Sequence, residues 1–275
     1  MALEERRLAF IGAGHITSII IDNLVKNEKV YSHRLIVSDP DSKKLQKLYN
    51  RYEIVMAEDN LEAIDKGDFV FINVLPQIVG DVLKEMRTQK FAGGKVIISI
   101  AAGIPIRAYD ILGDRIPVVR ALPNPPSQIG RGVVALTFSP HVTENQRQDI
   151  FELFSSFGER IVVGEENINA VMALTSPVLT YMFFQSLIDA GIRAGIDRQA
   201  ATKIASRSIS GSMDLWNRRQ VPPYELISEA STPGGISVES LFALEKHGFK
   251  ATILEAVDRA ISKADALSRS VQRSG

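Results

Sequence analysis

The sequence predicts an α/β domain built on a parallel sheet, followed by an all-α domain. Three observations carry this. Short β-branched runs alternate with helical patterns through the first part of the chain, to about residue 165. The first of these runs passes directly into a glycine pair, Gly12-Ala13-Gly14. After Glu165 the strand patterns stop, and 166–275 reads as four or five helices. Such alternation argues for parallel strands joined by crossover helices. The boundary is placed between domains of residues 1–164 and 165–275.

The strand runs are Leu8–Ile11, Leu35–Val37, Phe69–Val74, Lys95–Ile100, Val118–Arg120 and Val133–Phe138. Helical patterns lie near 16–27, 41–51, 77–88, 104–112 and 144–157. The last of these has Thr143 as a cap and Gly158 as a stop. Its Ile150, Leu153, Phe154 and Phe157 fall on one face. Further on, 197–216 is rich in small residues, which permits close helix packing. The helix over 250–269 carries a stripe from Ile253 to Leu267. Residues 170–188 carry no charge over about the length a bilayer needs. Thr175, Ser176, Pro177, Thr180 and Gln185 interrupt them, so they predict a helix buried on all faces, inside the fold or at a subunit interface.

Composition narrows the function. Lysine plus arginine equals aspartate plus glutamate, 32 each, with no long basic run, so a nucleic-acid footprint is absent. There is no cysteine, which removes disulfides, thiolate chemistry and thiolate-bound metals. No histidine–carboxylate cluster suggests a metal site. His33, His141 and His247 fall in loops or at helix ends and are expected to be solvated. The N-terminal residues enter a strand without a secretory apolar core. The expectation is a cytoplasmic protein with no membrane partner.

Two segments carry chemistry. In Leu8–Thr17, Gly12 allows a tight turn and Gly14 lets a dinucleotide pyrophosphate approach the backbone. The helix opening at His15 and Ile16 supplies free N–H groups and a positive pole for phosphates. Thr17 is bulkier than the Gly or Ala usual at the third position. Asp39, at the end of the second strand, is placed either to accept from ribose hydroxyls or to cap the next helix with Asp41. A ribose role favours NAD over NADP. The second segment is Thr232-Pro233-Gly234-Gly235, which runs into a helical pattern. A proline–glycine turn before a helix can aim N–H groups at one point and hold a small carboxylate.

These segments resemble landmarks of the pyrroline-5-carboxylate reductase family, in the same order. FIGAGHIT, from Phe10, resembles F-I-G-x-G-N-M-A. Val74-Leu75-Pro76-Gln77 resembles V-K-P-Q with the lysine replaced. Ser99 to Gly103 matches S-I-A-A-G. Arg120 to Pro126 resembles R-x-M-P-N-T-P, with Pro125 for threonine. Ala190 to Gly195 resembles A-G-V-R-A-G. Residues 232–249 resemble S-P-G-G-T-T…H-A-L-E-x-G-G-F, with Ile236 and Ser237 in place of the two threonines. The family's S-G-S-G-P-A-Y survives at 175–181 only in Thr175 and Tyr181, which puts the substrate in question more than the fold.

The resemblance implies an α/β Rossmann-type N-terminal domain and an all-α C-terminal dimerisation domain. Subunits would pair through their C-terminal helices as a homodimer, with assembly to a decamer open. It implies NADPH or NADH as cofactor and reduction of a cyclic imino acid to proline. Gly12, Gly14, His15, Ile16, Asp39, Val74, Pro76, Gln77, Ala101, Ala102, Gly103 and Asn124 then hold the coenzyme. Asn124 is also readable as a simple turn residue. Thr232, Gly234, Gly235 and Ile236 take the carboxylate. Ser237 keeps the hydroxyl that bonds the ring nitrogen, with a plain helix N-cap as the other reading of that residue. Two further readings stay open: a paralogue that reduces another cyclic imine, and a nucleotide-binding regulatory protein without turnover. A β-hydroxyacid dehydrogenase is disfavoured, because 168–185 lacks the lysine such enzymes need.

Overall fold

The computed structural model describes residues 3–88, 94–113 and 115–273. Eight strands form one sheet, β1 (Leu8–Ile11), β2 (Leu35–Ser38), β3 (Val55–Met56), β4 (Phe69–Ile72), β5 (Val96–Ser99), β6 (Val118–Pro123), β7 (Gly132–Phe138) and β8 (Gly158–Val162). Their spatial order is 3-2-1-4-5-6-7-8, and only the β6–β7 pairing is antiparallel. The order reverses between β1 and β4, the crevice where ligands sit in doubly wound sheets. The crossover helices are α1 (His15–Lys26), α2 (Ser42–Tyr52), α3 (Asn60–Lys66), α4 (Pro76–Met86) and α5 (Glu144–Leu153).

β1, β2, β4 and β5 are buried along their whole length. That is why they read as continuous apolar runs rather than alternating ones. Side chains pointing to opposite faces divide the core in two. Phe10, Phe71 and Phe154 belong to one face, with Phe10 and Phe71 stacked at 4.6 Å and Phe154 edge-on to Phe71. Ile11, Ile72, Ile97 and Tyr109 belong to the other.

The structure adds elements that periodicity does not show. β3 has only two residues, too few to show alternation. β8, Gly158-Glu159-Arg160-Ile161-Val162, lies at the sheet edge, where polar side chains interrupt the apolar signal. α3 is a single short helix of seven residues. The 104–112 pattern forms a 3-10 helix over Ile106–Leu112. Thr143 does cap α5, in a reciprocal capping box with Gln146.

Packing divides the chain into two compact units. One comprises residues 1–175 and 260–275, and the other comprises 176–259. α6 (Ile168–Leu174) closes the first stretch of the former. α7 (Pro177–Arg193), α8 (Arg198–Arg219), α9 (Pro223–Ala230) and α10 (Ile236–Lys246) form the latter with the start of α11 (Phe249–Arg273). α7 and α8 pack closely where Gly191 faces Ala201; a Cβ at Gly191 would stand 3.0 Å from that of Ala201. Yet among the described residues the buried cluster of this unit is only Ile188, Ala201 and Ala205. The expectation that 170–188 is buried within the fold does not hold for one chain. Tyr181 and Met182 are 62% and 64% exposed, and Val178 and Phe183 are exposed beside them. Among the described residues one helical stretch, Glu165–Arg193, is long and apolar enough to cross a membrane.

The core makes a stability prediction. Phe71→Ala removes a fully buried ring stacked on one neighbour and edge-on to another. It should cost about 3–5 kcal/mol, read as a lower denaturant midpoint with an unchanged slope.

Candidate active site

The turn after β1 sits at the switch point and is fixed on every side. Gly12 has φ +105°, a conformation that L side chains rarely adopt. A Cβ there would stand 2.8 Å from the Asn73 carbonyl oxygen. Its N–H donates to the Ser38 carbonyl at 2.8 Å. Gly14 differs: its backbone is extended, and a Cβ built on it meets nothing within 4 Å. So Gly12 is required by the turn itself, whereas Gly14 keeps the space in front of the α1 N-terminus open. An open approach to unpaired helix N–H groups is what a pyrophosphate needs. His15 is exposed and Ile16 is half-buried at the start of α1.

Thr17 is a buried brace. Its Oγ1 donates to the Gly12 carbonyl at 2.6 Å and accepts from Asn73 Nδ2 at 3.1 Å. A Gly or Ala could not make these bonds, so the departure from the fingerprint is a compensated one. Asn73 is the residue that sequence reasoning missed; nothing in a lone Asn after a strand signals a partner 56 positions away.

Asp39 answers the earlier choice in a third way. Its Oδ2 accepts from the Ala13 N–H at 2.7 Å and its Oδ1 from the Asp41 N–H at 2.8 Å. The helix cap is Asp41, which accepts from the Lys43 N–H. Lys44 Nζ lies 3.7 Å from Asp39. The carboxylate therefore locks the glycine turn to the end of β2. Each of its oxygens already accepts from one backbone amide.

The neighbouring strand ends supply the rest of this edge. Val74 and Pro76 are half-buried and Gln77 is exposed where α4 begins. Ala101 and Gly103 are buried after β5, and Gly103 has φ +74°. The end of that strand is anchored by Tyr109, whose hydroxyl donates to Ser99 Oγ; burial pushes the phenol up to about 12. Asn124 is spent locally. Its Oδ1 accepts from the Val133 N–H at 2.8 Å, and its Nδ2 reaches the Thr175 carbonyl at 3.4 Å. The turn reading of Asn124 is the one the structure supports.

In the second unit, Thr232–Gly235 forms a tight turn. The Gly235 N–H donates to the Thr232 carbonyl at 2.9 Å, with Pro233 second and Gly234 third at φ +73°. This is the type II pattern, which demands glycine at the third place. A Cβ on Gly235 would stand 2.7 Å from Thr232 Oγ1. Two expectations change. The Gly235 amide is engaged within the turn, so the free donors are those of Ile236 and the residues after it. Gly235, not Ser237, is the N-cap of α10, so the plain-cap reading of Ser237 fails. Ile236 and Ser237 are both exposed, Ile236 by 90%. Among the described residues no group of three or more His, Asp or Glu is arranged to hold a metal.

Comparison with known proteins agrees with this architecture. Residues 165–267 match the family model described as pyrroline-5-carboxylate reductase dimerisation, and residues 7–103 match that of NADP oxidoreductase, coenzyme F420-dependent. The Escherichia coli pyrroline-5-carboxylate reductase is 30% identical over 269 residues, which are 97% of this chain and all of the relative. The Aquifex aeolicus enzyme of that name is 31% identical, over 95% of this chain and 97% of its own. A crystal structure of Plasmodium falciparum pyrroline carboxylate reductase with NADP bound superposes with TM-score 0.87 at 26% identity, covering 97% of this chain and 99% of that one. Fold and loop thus define an NAD(P)-dependent oxidoreductase with a dimerisation domain. The chain belongs to the pyrroline-5-carboxylate reductase family.

The two glycines predict separable phenotypes. Gly12→Ala strains the turn and should lower thermal stability. Gly14→Val should fold normally, as seen by circular dichroism and melting temperature, yet lose nicotinamide fluorescence quenching. Thr17→Val leaves the Gly12 carbonyl and Asn73 Nδ2 short of partners. It should cost about 1–3 kcal/mol in denaturant unfolding.

Proposed function

We propose that the chain reduces 1-pyrroline-5-carboxylate to L-proline with NADPH or NADH. The observation that carries the reading is the pair of backbone-built cradles: the open Gly14 approach at the switch point, and the Thr232–Gly235 turn opening α10. Both offer N–H groups and a helix positive pole, and both suit anions, a pyrophosphate in one and a carboxylate in the other. The family membership names the substrate.

The division of labour follows from the residues. The first domain, 1–164, holds the coenzyme through Gly12, Gly14, His15 and Ile16, with Val74, Pro76, Gln77, Ala101, Ala102 and Gly103 along the same strand ends. The coenzyme supplies the hydride. Asn124 keeps a structural place in this set, fixing the start of β7. The second domain, 165–275, binds substrate. Thr232 and Gly234 shape the turn, Gly235 closes it, and the N–H groups of Ile236 and Ser237 take the carboxylate. The Ser237 hydroxyl hydrogen-bonds the ring nitrogen and so favours the imine bearing its proton, the better hydride acceptor. A hydride supplied by the bound coenzyme would add to the imine carbon, with the C=N π electrons becoming the lone pair of the proline nitrogen. Asp39 is occupied by two backbone amides, and this weakens the earlier argument for NAD over NADP.

The small core of 176–259 supports working as a homodimer, with further assembly such as a decamer built on it. The exposed apolar α7 is then covered by a second copy rather than by lipid. A cytoplasmic setting fits a reaction that draws on the intracellular nicotinamide pool. One observation favours a second substrate: the large, 90% exposed Ile236 beside the donors suits a differently shaped cyclic imine.

Purified protein with 1-pyrroline-5-carboxylate should consume NADPH or NADH, followed by nicotinamide absorbance. Gly235→Trp should abolish turnover and leave coenzyme binding intact. Ser237→Ala should lower kcat by roughly tenfold, the worth of one hydrogen bond in the transition state. Coenzyme binding without consumption of any cyclic imine would overturn the reading.

A further inference from the structure

Arg120 lies in the middle of β6, paired in register with Ser99 and 2% exposed. Among the described residues its ion-pair partner is Glu165, reached from Nη1 at a long 3.3 Å. Glu165 Oε1 is shared, since it also accepts from the Ile106 N–H at 2.6 Å. Nε and Nη2 of Arg120 are buried without a partner. These two atoms form the side-on edge of the guanidinium, whose parallel N–H groups match the two oxygens of a carboxylate. Burial holds this guanidinium below its ordinary pKa, against the pull of Glu165. A buried charge with most of its N–H donors idle is costly unless something completes it.

Arg120 lines a cleft of about 470 Å³. The other walls include Arg107, Arg269, Glu165, Glu166, Asn169 and Asp265. All of them belong to the same compact unit. Formal charges balance at three guanidiniums and three carboxylates. A second incomplete group stands on the wall. Asn169 donates from Nδ2 to Asp265 Oδ1 at 2.8 Å, while its own Oδ1 is buried with no donor. The cleft therefore combines an unfilled donor fork with an unfilled acceptor beside a carboxylate. None of these residues belongs to the glycine turn or to the 232–237 turn.

We propose that this cleft is a second, non-catalytic site for a small amino- or imino-acid zwitterion. Its carboxylate sits on the Nε/Nη2 edge of Arg120, and its ammonium sits by Asp265 and the Asn169 carbonyl oxygen. A net-neutral wall with separated signs disfavours a bare anion, which would gain the fork but leave the cleft with a net negative charge. It equally disfavours a bare cation. The inference rests on the proposed function only in the choice of L-proline as first probe.

The test is equilibrium dialysis of labelled L-proline, glycine and L-glutamate against the full chain carrying Gly235→Trp, which removes the substrate cradle. One saturable equivalent per protomer is expected for at least one of the three. Arg120→Lys keeps the charge and loses the fork; Asp265→Lys reverses the sign at a half-buried position and does not depend on refolding a buried arginine. Each should weaken binding by roughly tenfold or more. Acetate and methylammonium, each alone, should compete poorly. No saturable binding of any of the three, binding unchanged in both variants, loss in Arg120→Lys alone, or competition by acetate equal to that of the amino acid would overturn the proposal. Because the cradle is already blocked, these outcomes stand whether or not the wild-type chain reduces pyrroline-5-carboxylate.

Discussion

The turn after β1 is the constraint on which the site depends. Its geometry requires a residue without a side chain at Gly12, because the Asn73 carbonyl lies against it. Once Gly12 is fixed, four contacts tie three parallel strands to one loop. Ser38 holds its amide, Asp39 holds the next amide, Thr17 holds its carbonyl, and Asn73 holds Thr17. A phosphate-binding loop gains affinity by being rigid before the ligand arrives. Here the rigidity comes from the Ser38 carbonyl and the side chains of Asp39, Thr17 and Asn73, and the ligand-facing surface is left to bare backbone.

This explains which parts of the site the sequence could show. Gly12 and Gly14 are legible because backbone conformation restricts residue type strongly. Thr17 reads as an imperfection because its role depends on Asn73, far along the chain. Asp39 is legible as an acid at a strand end, but its acceptors could be satisfied by ribose or by protein, and only the fold places Ala13 within 2.7 Å of it. The same holds for the elements. Buried central strands announce themselves by composition. β3 and β8 at the two edges do not, since edge strands are short or polar on exposed faces. The reversal at β6–β7 is invisible for another reason: strand direction leaves no mark in an apolar run.

The helical unit obeys a different rule. A domain must bury enough apolar surface to offset the entropy of ordering its chain. Residues 176–259 contribute Ile188, Ala201 and Ala205 to a core and expose Tyr181, Met182, Leu215, Phe242 and Leu254. Small residues on α8 let α7 approach closely but bury little. The apolar content that makes 170–188 look like a membrane span is thus unspent surface, and a dimerisation domain is where such surface is used. Self-association that covers this surface stabilises the folded form by mass action.

The proposed 232–237 cradle and the proposed Arg120 cleft would bind a carboxylate by two physical routes. At 232–237 the donors are backbone amides, which carry only partial charge and need no counter-ion; a neutral turn can stay exposed and still select an anion. At Arg120 the donor is a full charge inside the sheet, and it must be balanced on the spot. Glu165 balances it incompletely, being shared with the Ile106 amide. A buried guanidinium is tolerated when its hydrogen bonds are complete, and penalised when they are not. The two idle donors are therefore more informative than an exposed basic patch would be. Solvent satisfies surface arginines at no cost to the fold, whereas this one stands unsatisfied beside a space large enough for the group it lacks.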